Sequence, residues 1–219
     1  MPKSDAPTVA LATDGRVPGR RGRATRQKLL ECAQALLTTT SYRDVTVTDI
    51  TRDAGTSPAT FYQYFDDLSA VVLAVAEQTA DDGRRLAALV DGHSWKGAAG
   101  WQTAEGLVDG FLEFWITHRP VLRVVELLTE EGDNRFRHSR ARMLNSTTRS
   151  LAAAIEANAG KGDGDADPMA MAGTLVAMLA QVASHQKGFE AWEIHMSEVR
   201  DSMIRLIYWG VTGPKIPKR

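Results

Sequence analysis

The stretch that most constrains this fold is residues 46–65, where two short helices are predicted on either side of a tight turn. Thr46 is a good N-cap for the first helix. Gly55 suits the left-handed position at which a helix ends. Ser57 then caps the second helix, and Pro58 occupies its first turn, where a missing N–H costs nothing. Two short helices joined in this way are typical of a helix-turn-helix, which places its second helix in the major groove of DNA.

The second predicted helix has an apolar face and a polar one. Phe61 and Phe65 lie four residues apart, so they share a face that packs inward. Hydroxyl and amide side chains remain on the other faces, where they can reach phosphates and base edges. The alternative is a small helical corner with a solvated polar face. The side chains of this segment that we expect at DNA are Thr46, Thr56, Ser57, Pro58, Ala59, Thr60, Tyr62, Gln63 and Tyr64.

Charge is distributed unevenly along the chain. Residues 1–65 hold nine basic and six acidic residues, a net charge of +3, whereas the remainder carries −4 within a total of −1. Six basic residues and no acidic residue lie between Arg16 and Lys28. By itself such an arm is more often a disordered, solubilising tail. Beside a helix-turn-helix it favours phosphate contacts that make affinity depend on salt, and the candidates here are Arg21, Arg23 and Arg26.

Residues 23–77 resemble the N-terminal domain of the TetR family of bacterial transcriptional regulators. The match is carried by a helix over 26–37, by residues 45–50, and most specifically by the run Gly-Thr-Ser-Pro-Ala-Thr-Phe-Tyr-Gln-Tyr-Phe at 55–65. The rest of the chain agrees with the family only in length and helical character. Leu68 stands where family members often carry a Lys that contacts phosphate, so the resemblance implies one phosphate contact fewer.

The resemblance implies an all-α fold, with an N-terminal three-helix DNA-binding domain containing the helix-turn-helix and a C-terminal helical domain for ligand binding and dimerisation. The composition agrees, since 43% of the 219 residues are hydrophobic and apolar side chains recur at helical spacing. We expect four segments: a flexible basic arm at 1–22, the helix-turn-helix domain at 23–66, the ligand-binding and dimerisation domain at 67–212, and a basic tail at 213–219.

Almost all of the chain beyond residue 66 is predicted to be helical, because its β-branched runs are too short for a sheet. The pattern predicts, in order, a long helix from Asp67 through Leu89, a break at 91–100, a helix around 107–115, a turn at 118–120, a short helix from Pro120 to Leu128, a longer helix over 135–159, a flexible loop at 160–165, a helix capped by Asp167, and a last helix around 199–207.

The last two predicted helices carry small and apolar residues over a wide angle, which allows another helix to approach closely. In a two-fold dimer they would pair with their symmetry mates in a four-helix bundle. The residues alone are equally compatible with helices that close the core of one chain, and the resemblance favours the homodimer. Two recognition helices must also lie about 34–36 Å apart to enter successive major grooves.

Aromatic and methionine side chains in the middle helices suggest a pocket for a largely apolar small molecule. Small-molecule sites are usually apolar cavities with a few polar groups. Such side chains at helical spacing are more often ordinary core, and it is the resemblance that implies an effector site in this part of the chain. The candidate lining residues are Phe111, Phe114, Trp115, Met143, Met178 and Gln181.

The sequence gives little support for a metal-binding or catalytic function. The aspartates at 163–167 begin like a calcium loop, but Pro168 and Thr174 stand where that loop needs Gly and Glu. The histidines lack metal-ligand spacing, and phosphate-loop and nucleophile motifs are absent. We therefore expect no enzyme, no catalytic residues, no metal and no cofactor. Cys32, the single cysteine, is expected to be a buried structural thiol.

No long apolar run predicts a signal peptide or a membrane span, so we expect a cytoplasmic protein with no membrane partner. The combined hypothesis is a homodimeric, ligand-responsive regulator, most simply a repressor, that binds a two-fold symmetric DNA operator and is released by a small apolar effector. Two alternatives stay open: a helix-turn-helix regulator without a small-molecule effector, and a helical small-molecule-binding protein that does not use DNA.

Overall fold

The computed structural model describes Thr13, residues 19–159 and residues 167–213. The predicted loop at 160–165 lies outside these residues, as do most of the predicted arm and tail. Within the described part the chain is helical and contains no strand, which confirms the predicted all-α class. Its α-helices are α1 (Arg20–Thr39), α2 (Val47–Ala54), α3 (Pro58–Phe61), α4 (Leu68–Gly83), α5 (Gly97–Glu130), α6 (Asn134–Asn158), α7 (Pro168–Ser184) and α8 (Met196–Thr212), with 3-10 segments at Arg84–Leu89 and Gln186–Trp192.

The chain divides into two compact units, Met1–Ala76 and Glu77–Arg219. The boundary falls inside α4, whereas the sequence placed it just before that helix, at 66/67. The expected segments at 23–66 and 67–212 therefore correspond to these units only approximately, because the first turns of α4 belong to the N-terminal unit.

The N-terminal unit is built around apolar faces of its helices. α1 buries Leu29, Leu30, Ala33 and Leu37. α2 adds Ile50, and Val71, Val72 and Val75 are buried on the first half of α4. Cys32 is partly buried on α1, and desolvation raises the pKa of its thiol, so the reactive thiolate is disfavoured as expected for a structural cysteine.

The C-terminal unit is organised around α5, whose buried face runs from Gly100 to Leu128. Side chains of α5, α6, α7 and α8 form one hydrophobic core. At its edge the guanidinium of Arg200 on α8 donates to Glu105 at 2.7 Å and to Asp109 at 2.6 Å, both on α5. These hydrogen bonds hold the pKa of Asp109 below its usual range, so the carboxylate stays charged beside its partner.

The turn predicted at 118–120 and the separate helix from Pro120 are wrong, because α5 continues through Pro120. Proline removes the N–H that would bond the carbonyl four residues earlier, which belongs to Ile116 on an exposed face. Phe114 before the proline and Val121 after it are both buried. Packing of both halves against the same core therefore keeps the helix continuous.

Two other boundaries differ from the prediction. The helix expected to reach Leu89 ends at Gly83, and the chain tightens into a 3-10 segment that buries Leu86 and Ala87. The glycines at 97–100, predicted to be a break, form the first turn of α5. Gly100 is needed there because a Cβ would overlap the backbone carbonyl of Trp95. The predicted longer helix at 135–159 is confirmed as α6, and Asp167 caps α7 by accepting from the N–H of Met169 at 2.9 Å.

None of the helices in the described part of the chain combines the length and apolar character that crossing a membrane requires.

Gly100→Ala should destabilise the C-terminal unit by about 1–3 kcal/mol, because the added methyl group meets backbone that cannot move aside. The matched control is Gly106→Ala on the same helix, where a Cβ meets nothing within 4 Å. That change should stabilise the unit by about 0.5–1 kcal/mol through helix propensity. Urea unfolding followed by circular dichroism measures both; equal midpoints for the two variants would contradict the packing role of Gly100.

Candidate nucleic-acid interface

The first helix of the predicted helix-turn-helix, α2, is fixed by a capping box. The backbone N–H of Asp49 donates to the hydroxyl of Thr46 at 3.2 Å, and the N–H of Thr46 donates to the Asp49 carboxylate at 3.1 Å. The hydrogen bonds from Thr46, with Arg52 at 3.0 Å, lower the pKa of Asp49. A carboxylate that stays charged at this helix start also interacts favourably with the helix dipole. The N-cap predicted at Thr46 is thus confirmed.

The turn between α2 and α3 has the predicted geometry. Gly55 adopts φ 64° and ψ 39°, in the left-handed region, and its N–H donates to the carbonyl of Arg52 at 3.1 Å. Ser57 caps α3 by accepting from the N–H of Thr60 at 3.2 Å, and Pro58 occupies the first position of the helix. The direction of α3 relative to α2 is therefore set by a three-residue turn with local hydrogen bonds.

Two phenylalanine rings anchor α3 from inside. Phe61 and Phe65 are buried with ring centroids 5.5 Å apart, as predicted. The guanidinium of Arg26 on α1 lies 5.1 Å from the Phe65 ring centroid. Tyr62 meets the edge of Phe61 at 5.5 Å, yet 52% of its surface is exposed. The side chain of Tyr62 is therefore exposed, while the buried rings of Phe61 and Phe65 hold the backbone on either side of it.

The predicted DNA-facing side chains surround this anchor. α3 is shorter than expected and ends at Phe61, so Tyr62, Gln63 and Tyr64 follow it in a turn. The hydroxyl of Thr46 is engaged with Asp49. The exposed members of the predicted set are Thr46, Ser57, Pro58, Ala59, Tyr62 and Gln63, and those of intermediate exposure are Thr56, Thr60 and Tyr64.

Thr13, which precedes α1 in the chain, is hydrogen-bonded to the turn after α3. The N–H of Thr13 donates to the carbonyl of Gln63 at 3.0 Å, and its hydroxyl donates to the carbonyl of Tyr62 at 3.1 Å. Thr13 thus caps carbonyl groups that follow α3. Thr13 therefore lies beside the side chains expected at DNA.

Arg21, expected in the flexible basic arm at 1–22, lies on a helix, because α1 begins at Arg20. Arg21 and Arg23 are exposed on its first turns, whereas Arg26 is half-buried against Phe65. The first turn of α1 has no acidic residue and no side-chain cap. Positive charges at a helix N-terminus oppose the helix dipole, so this arrangement suits a nearby anion better than it suits the helix itself.

Comparison with known families decides the identity of this fold. The model described as bacterial regulatory proteins, tetR family, matches residues 29–75. The model described as tetracyclin repressor-like, C-terminal domain, matches residues 86–218, which is more than half of the chain. The chain belongs to the TetR family. It is accordingly a TetR-family transcriptional regulator with a DNA-binding helix-turn-helix, and such regulators typically dimerise.

Solved structures of TetR-like proteins share the fold. The fatty acid degradation regulator FadR from Bacillus halodurans is 13% identical with a TM-score of 0.64, over 88% of this chain and 97% of that one. A protein of unknown function from Rhodococcus sp. RHA1 is 20% identical with a TM-score of 0.65, over 86% and 95%. A tetR-family regulator from Streptomyces coelicolor is 14% identical with a TM-score of 0.64, over 84% and 79%. No curated protein is significantly similar to this sequence.

In the C-terminal unit of this TetR-family chain, most of the predicted effector residues come together. The rings of Phe111 and Trp115 stack at 5.6 Å, and Phe114 meets Trp115 edge-on at 6.3 Å. Met143 and Phe114 both approach Gly83. Met178 packs against the same core, but Gln181 lies on the exposed side of α7, away from these buried side chains.

The sequence interpretation missed polar groups beside these aromatic side chains. Ser139 and Thr147 are buried one helical turn on either side of Met143, and their hydroxyls have no hydrogen-bond partner among the described residues. The ring of His118 lies 4.7 Å from that of Phe114, and its Nε2 is 3.7 Å from Asp82. Burial lowers the pKa of His118, although Asp82 opposes the shift. Ser139, Met143 and Thr147 recur at four-residue spacing, so the sequence could have predicted that the two hydroxyls share a helix face with Met143.

Gly55→Ala should destabilise the N-terminal unit by about 1–2 kcal/mol, because a Cβ is disfavoured at a left-handed φ of 64°. Space is not limiting, since the nearest atom to that Cβ would be the Lys28 Nζ at 3.8 Å. Gly55→Asn is the matched control and should cost less, because asparagine tolerates this conformation. Thermal unfolding of the two variants measures the difference, and a larger loss for asparagine would overturn this account of the turn.

Proposed function

We propose that this regulator is a ligand-responsive repressor that binds a two-fold symmetric operator as a homodimer and is released by a largely apolar small molecule. The observation that carries the proposal is the outward turn after α3, where exposed Tyr62 and Gln63 are held by the buried rings of Phe61 and Phe65. A rigid polar surface of this kind can read base edges with little loss of side-chain entropy.

Phosphate binding has its own support. Arg21 and Arg23 are exposed on the first turns of α1, and the N-terminal residues to 65 carry a net charge of +3. Ser57 and the N-terminus of α3 add hydroxyl and backbone groups of the kind that contact phosphate. We infer that these contacts orient the unit on the duplex and that the turn after α3 supplies the sequence preference.

Dimerisation through the last two helices is supported by apolar side chains that remain exposed in the single chain. On α8, Leu206 and Trp209 are 45% and 48% exposed, and Met169 on α7 is 45% exposed. Gly210 on α8 packs closely on Leu175 of α7, since a Cβ there would lie 2.7 Å from Leu175 Cδ1. α7 and α8 thus pack on each other, and we infer that their exposed apolar side chains are buried by pairing with the symmetry mate.

The effector site is proposed in the core around Phe111, Phe114, Trp115 and Met143. Ser139 and Thr147 bring hydroxyls without partners to that core, and the buried polar groups of the described chain include no charged side chain. A neutral, largely apolar molecule with a hydrogen-bonding group suits this lining, because an unpaired charge would be costly there.

Release from DNA is proposed to be a population shift. The effector prefers the conformation in which the two recognition helices are badly spaced for adjacent grooves, and α4 connects the two units in sequence. The coupling free energy equals the difference in effector affinity between the two conformations. Operator DNA must then weaken effector binding by the same factor.

The test of this function is a selection of genomic fragments by the purified protein, with the affinity of the enriched site measured at two salt concentrations. A two-fold symmetric site bound far more tightly than random duplex supports the proposal. Weak, sequence-blind binding that salt abolishes would contradict it. Apolar compounds that raise the melting temperature and dissociate the operator complex would support the effector, and compounds that do neither would favour a regulator without one.

Tyr62→Ala should weaken operator binding by about 1–3 kcal/mol, because it removes an aromatic side chain that is 52% exposed on the outward turn. Tyr62→Phe keeps the ring against Phe61 and so separates the contribution of the hydroxyl from that of the ring. Fluorescence anisotropy with labelled operator measures both variants, and circular dichroism checks the fold. Unchanged affinity of the alanine variant would place the DNA-reading surface elsewhere.

Arg21→Ala should reduce the slope of log affinity against log salt by about 0.9, the value expected for one lost phosphate contact. Affinity should fall on random duplex as well as on the operator, because phosphates carry no sequence information. Arg149→Ala is the matched control, since Arg149 is an exposed arginine on α6 that donates to Asn145 of its own helix. Equal slopes for both variants would remove Arg21 from the interface.

A further inference from the structure

The turn that follows α3 accepts hydrogen bonds from a residue 49 and 50 positions earlier in the chain. The N–H of Thr13 donates to the carbonyl of Gln63 at 3.0 Å. The hydroxyl of Thr13 lies 3.1 Å from that same carbonyl and 3.1 Å from the carbonyl of Tyr62. One threonine therefore supplies two donors, one from its backbone and one from its side chain, to two consecutive carbonyl groups.

These carbonyl groups lie at the end of a very short helix. The last carbonyls of a helix have no partner inside it and need a donor from elsewhere. N–H groups further along the turn donate to the carbonyls of Thr60 and Phe61. The next two carbonyls, of Tyr62 and Gln63, are those that accept from Thr13. Thr13 thus caps the C-terminal end of α3 from a distant part of the sequence.

The two residues that Thr13 caps carry the exposed side chains proposed to read DNA. Tyr62 is 52% exposed, and Gln63 is exposed beside it. Packing holds this turn through the buried rings of Phe61 and Phe65. The hydrogen bonds from Thr13 add a restraint on the backbone of the two exposed residues themselves.

We propose that Thr13 is a positioning residue for sequence-specific DNA recognition, acting through the backbone of Tyr62 and Gln63. The inference rests on the proposed function, because it takes these two side chains as the reading surface. The two donors of Thr13 hold the turn in one orientation before DNA binds, so that less conformational entropy is lost on binding. These hydrogen bonds are exposed, so water can replace the hydroxyl, and the stability of the unit depends little on it.

Thr13→Val removes the hydroxyl and keeps the β-branched shape and the backbone N–H. The variant should lower the ratio of operator affinity to random-duplex affinity about three- to tenfold, the effect of one hydrogen bond. Random-duplex affinity and its salt slope should stay the same, because non-specific binding depends on phosphate contacts. Thr13→Ser keeps the donor and should keep the ratio. Fluorescence anisotropy with labelled operator and labelled random duplex, at two salt concentrations, measures these quantities.

Thr38→Val is the matched control. Thr38 is an exposed threonine of the same unit, and its hydroxyl donates to the carbonyl of Ala35 within α1. Its replacement should leave the affinity ratio unchanged. In a chain that already carries Tyr62→Ala and Gln63→Ala, Thr13→Val should change the ratio by less than about twofold, because the side chains that Thr13 positions are gone.

Hydrogen exchange tests the restraint in the absence of DNA. In the Thr13→Val chain, the amide groups of the turn at 62–65 should exchange faster than in the unchanged chain. Its melting temperature should stay the same, since the hydroxyl restrains the turn and not the core of the unit. Thr38→Val should leave exchange in the turn unaltered. Equal exchange in the two variants would show that Thr13 does not hold the turn, and would overturn the proposal.

Two binding results would also overturn it. An equal loss of affinity for operator and random duplex would assign Thr13 to phosphate binding. An undiminished effect of Thr13→Val in the chain that lacks the side chains of Tyr62 and Gln63 would show that Thr13 acts elsewhere. A chain that selects no operator would refute the proposed function and this inference with it. A selected operator that the unchanged chain and the Thr13→Val variant bind equally would refute the role of Thr13 alone.

Discussion

Burial of Phe61 and Phe65 is the interaction on which the DNA-facing surface depends. α3 is only a four-residue helix, too short to be stable by itself, so its position comes from packing. The two rings fix it from inside, and Arg26 covers Phe65 from α1. Tyr62 and Gln63 are exposed because the residues around them are anchored. Because the apolar contacts already order this short element, the DNA contacts proposed for Tyr62 and Gln63 would cost less conformational entropy.

In the C-terminal unit, the other elements depend on packing against α5. It contributes Phe111, Phe114 and Trp115 to the core. The hydroxyl of Thr103 near its start donates to the carbonyl of Ser94, which holds the preceding segment 90–96 in place. Its Arg200 partners, Glu105 and Asp109, tie α8 to the same helix. One long helix thus supports the aromatic core, the segment at 90–96 and one of the helices proposed for dimerisation. A change in the packing of α5 would therefore alter the structure of all three.

The local parts of this fold could be predicted from the sequence, and the parts that depend on distant residues could not. The caps at Thr46, Ser57 and Asp167 and the left-handed turn at Gly55 involve neighbours within a few residues, and all four were predicted. Pro120 was interpreted as a helix start because no sequence pattern shows that both of its sides pack on one core. The groove between residues 90–96 and the C-terminal half of α6 was missed for the same reason, since its two sides lie more than fifty residues apart in the chain.

The start of α1 shows how function can compete with helix stability. Arginines occupy the end of the helix at which the backbone dipole is positive, and the first turn of α1 holds no acidic residue and no side-chain cap. Arg21 and Arg23 are exposed, and the buried face of α1 begins at Leu29. A duplex would reverse the sign of this interaction, since its phosphates attract both the arginines and the helix N-terminus. In the proposed complex, the same residues that weaken the free helix would therefore stabilise the bound one.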